Sequence, residues 1–379
     1  MANYLITGAR APAALELSRN LARHGHRVYC ADSLAFPIAK FSNSVRSFSR
    51  ITSPHEGVSK YCTDLLKIIE EENISHLLPT CEEVFYVAKI KPQLETHCHV
   101  ICPELQILRQ LHSKSDIFLL AEECGISAPR SRLLPTTEVL ESRSFSNLVV
   151  KAEYGRFGTR VLLEPNRSSV EKLQSAGIDQ LVVQEKISGE EICTYSIANA
   201  GKLSAHVSYL PTYKTGGTAG IYFTPYANSD ITKFVSNFIE RYGISGQIGF
   251  DFIKQGNQLF LLECNPRTTS GVHLMRDLDI ASCIDGTMQA IDPRQTKPKM
   301  IASAVFAYSV QQHQPTRNLR SLVRHFRNAD DVVYSHTDKR PAIYQILSLL
   351  EIAVLSLRKK KTVKMASTAD IEWDGGEIL

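Results

Sequence analysis

The sequence predicts a mixed α/β and α+β protein that opens on a doubly wound parallel-sheet domain and changes character beyond about residue 293. Three observations predict it. Residues 3–32 run strand, glycine turn, helix, strand, aspartate, the opening of a doubly wound sheet. Residues 247–263 read as two strands around Lys254-Gln255-Gly256-Asn257, a glycine-containing hairpin turn. The length of 379 residues gives two or three domains, each with ample core.

The elements follow in order. Asn3–Thr7 is an apolar strand, and Ala14, Leu17 and Leu21 give one apolar face to a helix over Ala13–His24, with Arg27–Ala31 as the second strand. The three glycines of a dinucleotide fingerprint are absent: Gly8 is followed by Ala9-Arg10-Ala11-Pro12. A dinucleotide oxidoreductase is therefore a weak rival. Val58–Glu72 is an amphipathic helix and Ile74–Pro79 a strand, so Glu82 and Glu83 fall at a strand's carboxyl end, where one of them meets a cationic substrate group or both form the cap and acidic first turn of the next helix. Val100–Cys102 is a strand and Pro103–Leu111 a short helix. Helix Ile117–Cys124 follows the Ser115-Asp116 cap, and Pro129 and Pro135 bracket an extended domain junction. Strands Leu148–Ala152 and Val161–Leu163 flank a loop carrying Gly155, Arg156 and Gly158. Strands Leu181–Gln184 and Ile192–Ala198 follow. The stretch 206–226 reads as a mobile Gly/Tyr-rich loop, with Lys214 able to bind a carboxylate or phosphoryl group. Ile231–Tyr242 is a helix. His273 and Arg276 open another, facing an acyl acceptor. Met300–Val310 is strand-like, Thr316–Phe326 a basic helix and Pro341–Leu357 an apolar helix. The acidic tail Ala366–Leu379 reads as a strand or as disordered.

Bulk properties narrow the class. Charged residues at 22%, hydrophobic residues at 43% and a net charge of +4 describe an ordinary soluble protein and make no case for nucleic acid. Nine scattered cysteines read as reduced thiols. His97-Cys98-His99 with Cys102 lies along one strand, where neighbours face opposite sides, and is not expected to hold metal. The chain opens on a strand with no leader pattern, so a cytoplasmic protein is expected. The helix 341–357 is short for a membrane span; packing on the protein or on a second subunit is expected, rather than lying on a membrane surface.

The chemistry concentrates in the hairpin. Asp251 lies in its first strand, Glu263 ends its second and Asn265 follows. Two carboxylates and an amide oxygen suit Mg²⁺ and match Zn²⁺ poorly. Arg267 stands ready to neutralise a transferring phosphoryl group. Lys151, at a strand end beside a glycine-bearing loop, places a cation and backbone N–H groups around phosphates. Cys264 alternates away and belongs to the core.

Glu263-Cys264-Asn265-Pro266-Arg267 resembles the metal-binding signature of the ATP-grasp superfamily, whose members mostly join a carboxylate to an amine or thiol. The resemblance spans residues 1–295 and implies an ATP-grasp fold behind a Rossmann-like domain like that of carbamoyl-phosphate synthase and biotin carboxylase. It divides the chain into 1–112, 113–200 (phosphate loop and hinge), 201–295 (metal site) and the extension 296–379. It implies that Lys114 and Lys151 reach phosphate and that the loop folds over the γ-phosphate, although Arg156 and Phe157 depart from the usual small residues. Gln184, Glu185 and Ile187 would line adenine, and Glu191 (or Glu190) would accept from ribose. ATP and Mg²⁺, with Mn²⁺ as a substitute, are the implied cofactors. A small carboxylate and an amine are the implied substrates, and pairing into a homodimer is common among relatives. The reading is an ADP-forming carboxylate–amine ligase acting through an acylphosphate. The alternatives are bicarbonate activation and a non-catalytic ATP-binding module.

Overall fold

The computed structural model describes residues 1–378 except 136–146, 156–159, 176–177, 179, 216–218, 293–296 and 312–322. The N-terminal region forms a five-stranded sheet from β1 (Asn3–Thr7), β2 (Arg27–Asp32), β3 (Val45–Arg50), β4 (His76–Leu78) and β5 (His99–Val100), in the order β3-β2-β1-β4-β5. Every pairing in it is parallel. Helix α1 (Pro12–Arg23) buries Ala14, Leu17 and Leu21 against this sheet. Strand β3 was not foreseen, because its sequence Val-Arg-Ser-Phe-Ser-Arg offers little apolar signal. It pairs with β2 at the sheet's edge, where such a strand is tolerated.

Gly8 has a positive φ of 69°, and a Cβ there would fall 2.6 Å from Thr80 Oγ1 and 2.8 Å from Glu83 Oε1. The glycine is therefore needed for the close approach of β1 to the chain after β4. The crevice at the carboxyl ends of β1 and β2 retains only about 10 Å³, lined in part by Arg10, Asp32 and Ile371. That is room for one water.

Helices α2 (Val58–Glu71), α3 (Val84–Leu94), α4 (Leu105–His112) and α5 (Asp116–Glu123) lead to a small antiparallel sheet. It is built from β6 (Ser131–Pro135), β7 (Leu148–Ala152), β8 (Val161–Leu163) and β9 (Gln180–Glu185), in the order β6-β9-β7-β8. The stretch read as a domain junction is thus partly the edge strand β6, with Ser131 opposite Gln184 and Leu134 buried in the small core. Helix α6 (Arg167–Gln174) carries a capping box at Asn166.

The large sheet contains β10 (Glu190–Asn199), β11 (Lys202–Thr215), β12 (Ala219–Pro225), β13 (Gly246–Gln255) and β14 (Gln258–Asn265), in the order β14-β13-β10-β11-β12. Helix α7 (Ser229–Arg241) buries Phe234, Val235 and Phe238 in one cluster with Phe250 and Phe252 of β13. Within the stretch 206–226, of which 216–218 lie outside the described residues, the two strands pair antiparallel: Tyr209 with Pro225 and Lys214 with Gly220. The stretch's alternating aromatic and β-branched residues suit a half-buried sheet better than a loop.

The C-terminal part departs most from expectation. Residues 302–311 form a helix, α8 being Ile280–Ile284 and α9 being Ala302–Gln311. A short apolar run does not by itself distinguish strand from helix. Of the expected basic helix, 312–322 lies outside the described residues and 323–328 is helical. The apolar helix runs Arg340–Lys359, longer than the sequence suggested and long enough to cross a membrane by length and composition. The acidic tail is neither strand nor loose. Ile371, Trp373 and Ile378 are buried, Trp373 stacks on Phe85 at 4.5 Å, and Arg10 Nη1 donates to Asp370 Oδ1 at 2.6 Å.

Candidate functional site

Strands β13 and β14 place the carboxylates. Asp251 sits directly opposite Glu263, and Gly249 opposite Asn265. The register jumps from Asp251↔Glu263 to Phe252↔Leu261, which leaves Leu262 as the extra residue of a bulge. The bulge resolves a conflict of alternation. Leu261 enters the apolar core with Phe250 and Phe252, whereas Glu263, only two residues on, faces Asp251. The bulged carbonyl is also used, since Lys151 Nζ donates to Leu262 O at 3.3 Å. Cys264 lies in the core. Beyond the strand, a Cβ at Gly271 would be 2.4 Å from Tyr195 Cβ, so the chain there passes hard against β10.

Two buried lysines face this end. Lys151 leaves β7 and donates to Gln184 Oε1 at 2.9 Å. Its ammonium lies 5.3 Å from the Phe118 ring centre. Gln184 in turn donates to Ser131 Oγ at 3.1 Å, so the side chain of Gln184 orients the lysine. Lys114 donates to the carbonyl oxygens of Gly155 at 3.2 Å and Glu153 at 3.4 Å, just after β7. Glu153 braces that junction by accepting from Ser113 Oγ and from the hydroxyl and N–H of Ser115. Sequence reasoning missed Glu153, whose position beside the loop was its one signal. Arg156 and Gly158 lie outside the described residues; Gly155 is described.

The electrostatics are opposed by design of the neighbourhood. Burial, then the Glu263 and Glu191 charges, pushes the Asp251 carboxyl well above its ordinary value. Burial acts the same way on Glu263, but Lys114 and Lys151 outweigh it and hold that carboxyl below the usual range. Burial first and the Lys114 charge second push Lys151 down to about 7, against the pull of Glu263 and Glu153. Burial likewise lowers Lys114. Two facing, half-buried carboxylates cannot both ionise cheaply without a cation between them. Asn265 donates through its amide nitrogen to Asp251 at 3.2 Å and to Glu263 at 3.4 Å, while its amide oxygen accepts from Arg267; the two carboxylates are hard-oxygen donors of the kind Mg²⁺ takes.

Arg267 donates to Asn265 Oδ1 at 2.8 Å and lies 3.8 Å from the fully buried Glu82. Gln247, also missed, ties the floor together. It accepts from Tyr195 and Thr268 at 2.6 Å each and donates to Pro79 O at 3.1 Å. Glu185 and Ile187 lie where β9 leads toward β10, and Lys214 is ion-paired with Glu191.

His273 and Arg276 are elsewhere engaged. His273 Nδ1 lies 3.3 Å from Glu16 Oε2, and Arg276 donates to both Glu16 oxygens at 3.2 Å. His273 sits in a 3-10 turn over Ser270–Met275, not in the first turn of an α-helix, and is buried. These contacts join the large sheet's end to α1. The described Cys98, His99 and Cys102 form no metal cluster.

Residues 118–271 match the family model of the ATP-grasp domain. Among solved structures, the fold is similar to an L-amino acid ligase from Bacillus licheniformis, at 15% identity and TM-score 0.60, covering 79% of this chain and 78% of that one. It is also similar to the N5-carboxyaminoimidazole synthetase of Staphylococcus aureus complexed with ADP, at 14% identity and TM-score 0.60, covering 78% and 80%. A third similar structure is the biotin carboxylase domain dimer of Hydrogenobacter thermophilus 2-oxoglutarate carboxylase with MgADP, ADP and bicarbonate. It shows 13% identity and TM-score 0.59, covering 79% and 73%. No curated protein is matched by the sequence.

Proposed function

The chain carries an ATP-grasp domain, and from that premise we propose that it is an ATP-dependent ligase that joins a small carboxylic acid to an amine. The observation that carries this reading is the meeting of Lys114 and Lys151 with Asp251, Glu263 and Asn265. They come from three separate segments and meet at the bulged end of one hairpin. Such a site gathers cations for phosphates and oxygens for a metal in one water-poor place, the arrangement phosphoryl transfer needs.

In this reading the substrate carboxylate attacks the γ-phosphorus of ATP. The bond from that phosphorus to the β-bridging oxygen breaks, leaving ADP and an acylphosphate. A bound amine then attacks the acyl carbon, an amide bond forms, and phosphate departs. Lys114 and Lys151 neutralise phosphate charge, Lys151 held in aim by Gln184 and the Leu262 carbonyl. The described ends of the loop, Gly155 and Arg160, lie beside them, with Arg156 and Gly158 assigned to the same grip. Asp251, Glu263 and Asn265 would hold Mg²⁺, which when bound supplies positive charge against the phosphates. Arg267 steadies the acyl phosphate from its place between Asn265 and Glu82. Gln184, Glu185 and Ile187 offer the wall and backbone edge for adenine, and Glu191 the acceptor for ribose. The amino acid ligase and the ADP-bound synthetase among the similar structures support ATP-driven C–N bond formation as the reaction type.

Incubation of purified protein with MgATP and pools of amino acids, other small acids and amines tests this. ADP and phosphate released only with substrates, together with a product one water lighter than acid plus amine, are expected. Release of AMP would contradict the acylphosphate route. ADP formed only with bicarbonate would shift the reading to carboxyphosphate chemistry, and tight nucleotide binding without turnover would favour a non-catalytic module.

A further inference from the structure

Helix Arg340–Lys359 shows two opposite faces. Its inner face is pinned to the segment after β2. Pro341 and Ser348 are buried, and Tyr344 stacks on Phe41 at 4.5 Å. Glu351 accepts from the N–H groups of Ala35 at 2.8 Å and Phe36 at 2.9 Å. Its outer face is apolar and bare. Ile343, Ile346, Leu350, Val354 and Leu357 are exposed at 65, 61, 56, 45 and 80%. Their spacing of three and four residues sets them in one stripe along the helix. A row this long is not the scattered surface leucine of an ordinary soluble protein.

The charge around the stripe selects what covers it. Between residues 323 and 364 the sequence has nine Lys or Arg against four Asp or Glu. All four acids are committed within the protein. Asp330 pairs with Lys297 and Lys299. Asp331 accepts from the N–H groups of Ala302 and Tyr334, Asp338 pairs with Arg19, and Glu351 caps Ala35 and Phe36. The cations Arg358, Lys359, Lys360 and Lys361 stand exposed at the helix end, with Lys339 and Arg340 at its start. A second copy of this helix would bring like charges together in either orientation, basic end on basic end or basic end on Lys339-Arg340. An anionic lipid surface meets both the apolar stripe and the cations.

We infer that this face docks the protein onto the surface of a membrane containing anionic lipid. The helix lies in the interfacial plane with its stripe among the acyl chains and its basic end among the headgroups. The inner-face contacts keep it from crossing.

Co-sedimentation of the full chain with vesicles of phosphatidylcholine alone, or with added phosphatidylglycerol, tests the inference. Binding only to the anionic vesicles is expected, and its loss near 1 M salt, where the screening length falls to about 3 Å. K359Q/K360Q is expected to weaken partition about twenty-fivefold, since each cation near such a surface contributes about fivefold. L350E changes an exposed side chain, so it leaves the thermal unfolding temperature in place while abolishing binding. Absence of binding to anionic vesicles, or equal binding to neutral ones, would overturn the inference. A dimer seen by ultracentrifugation that L350E makes monomeric, without vesicle binding, would assign the face to a second copy.

Discussion

The molecule buries carboxylates in two regions, and it treats them in opposite ways. At the joints, buried Glu16 lies against Arg276 and His273, and Asp370 lies against Arg10 and Ser33. Burial alone would raise both, but His273 and Arg276 hold Glu16 down to about 2, and Arg10 with Ser33 holds Asp370 down to about 2. At the bulged hairpin the half-buried Asp251 faces Glu263; Lys114 and Lys151 hold Glu263 below its ordinary range, while Asp251 is pushed well above its own. At the joints both acids are eased by their neighbours. At the hairpin one of two facing acids stays opposed, which stores a demand for a cation and tells a site from a joint.

The largest expected effect that sharpens this contrast lies in the grip. Lys151→Ala removes a buried ammonium facing Glu263, and ATP affinity is expected to fall about hundredfold, the scale of one partner lost from a buried charge pair. Titration calorimetry reads it directly. Asp370→Asn tests the joint: a stability loss of about 2 kcal/mol is expected from the depression of its carboxyl, measured by urea unfolding. The pH sign follows. Carboxyls depressed in the folded state stabilise it above about pH 4.5. That contribution drains away as pH falls toward about 2, through the values held by Glu16 and Asp370. Asp251→Asn should do the reverse of Asp370→Asn and leave stability unchanged or raised by about 1 kcal/mol, because it removes half of an opposed pair. A large loss in that variant would break the contrast. Smallest of all, Lys214→Ala removes a half-exposed ion pair with Glu191 and is expected to change ATP affinity by less than about fivefold.

The sequence was most legible where structure is local. β1, α1 and β2 lie within a residue or two of their predicted bounds, because apolar periodicity and the Gly25 stop decide them without help from afar. The hairpin was readable for the same reason, and its facing carboxylates follow from one register. The bulge at Leu262 was not, since nothing in Leu-Leu-Glu-Cys-Asn shows which residue drops out of pairing. Illegible parts depend on distant partners. Asp370 and Trp373 look like a loose acidic tail until Arg10 and Phe85, more than 280 residues away in the chain, are placed beside them. The contacts of His273 and Arg276 with Glu16, more than 250 residues away in the chain, had no signal in the sequence. Polar β3 gave no pattern, and the run 302–311 was apolar without a period to settle its type.

The central claim is that Asp251, Glu263 and Asn265 hold the metal that makes nucleotide turnover work, with the lysines holding phosphate. Steady-state ADP release by Glu263→Gln, with circular dichroism to show an intact fold, tests it most directly. Turnover lower by on the order of a thousandfold, with an unchanged unfolding temperature, is the predicted result. Normal ADP release from that variant would contradict the account.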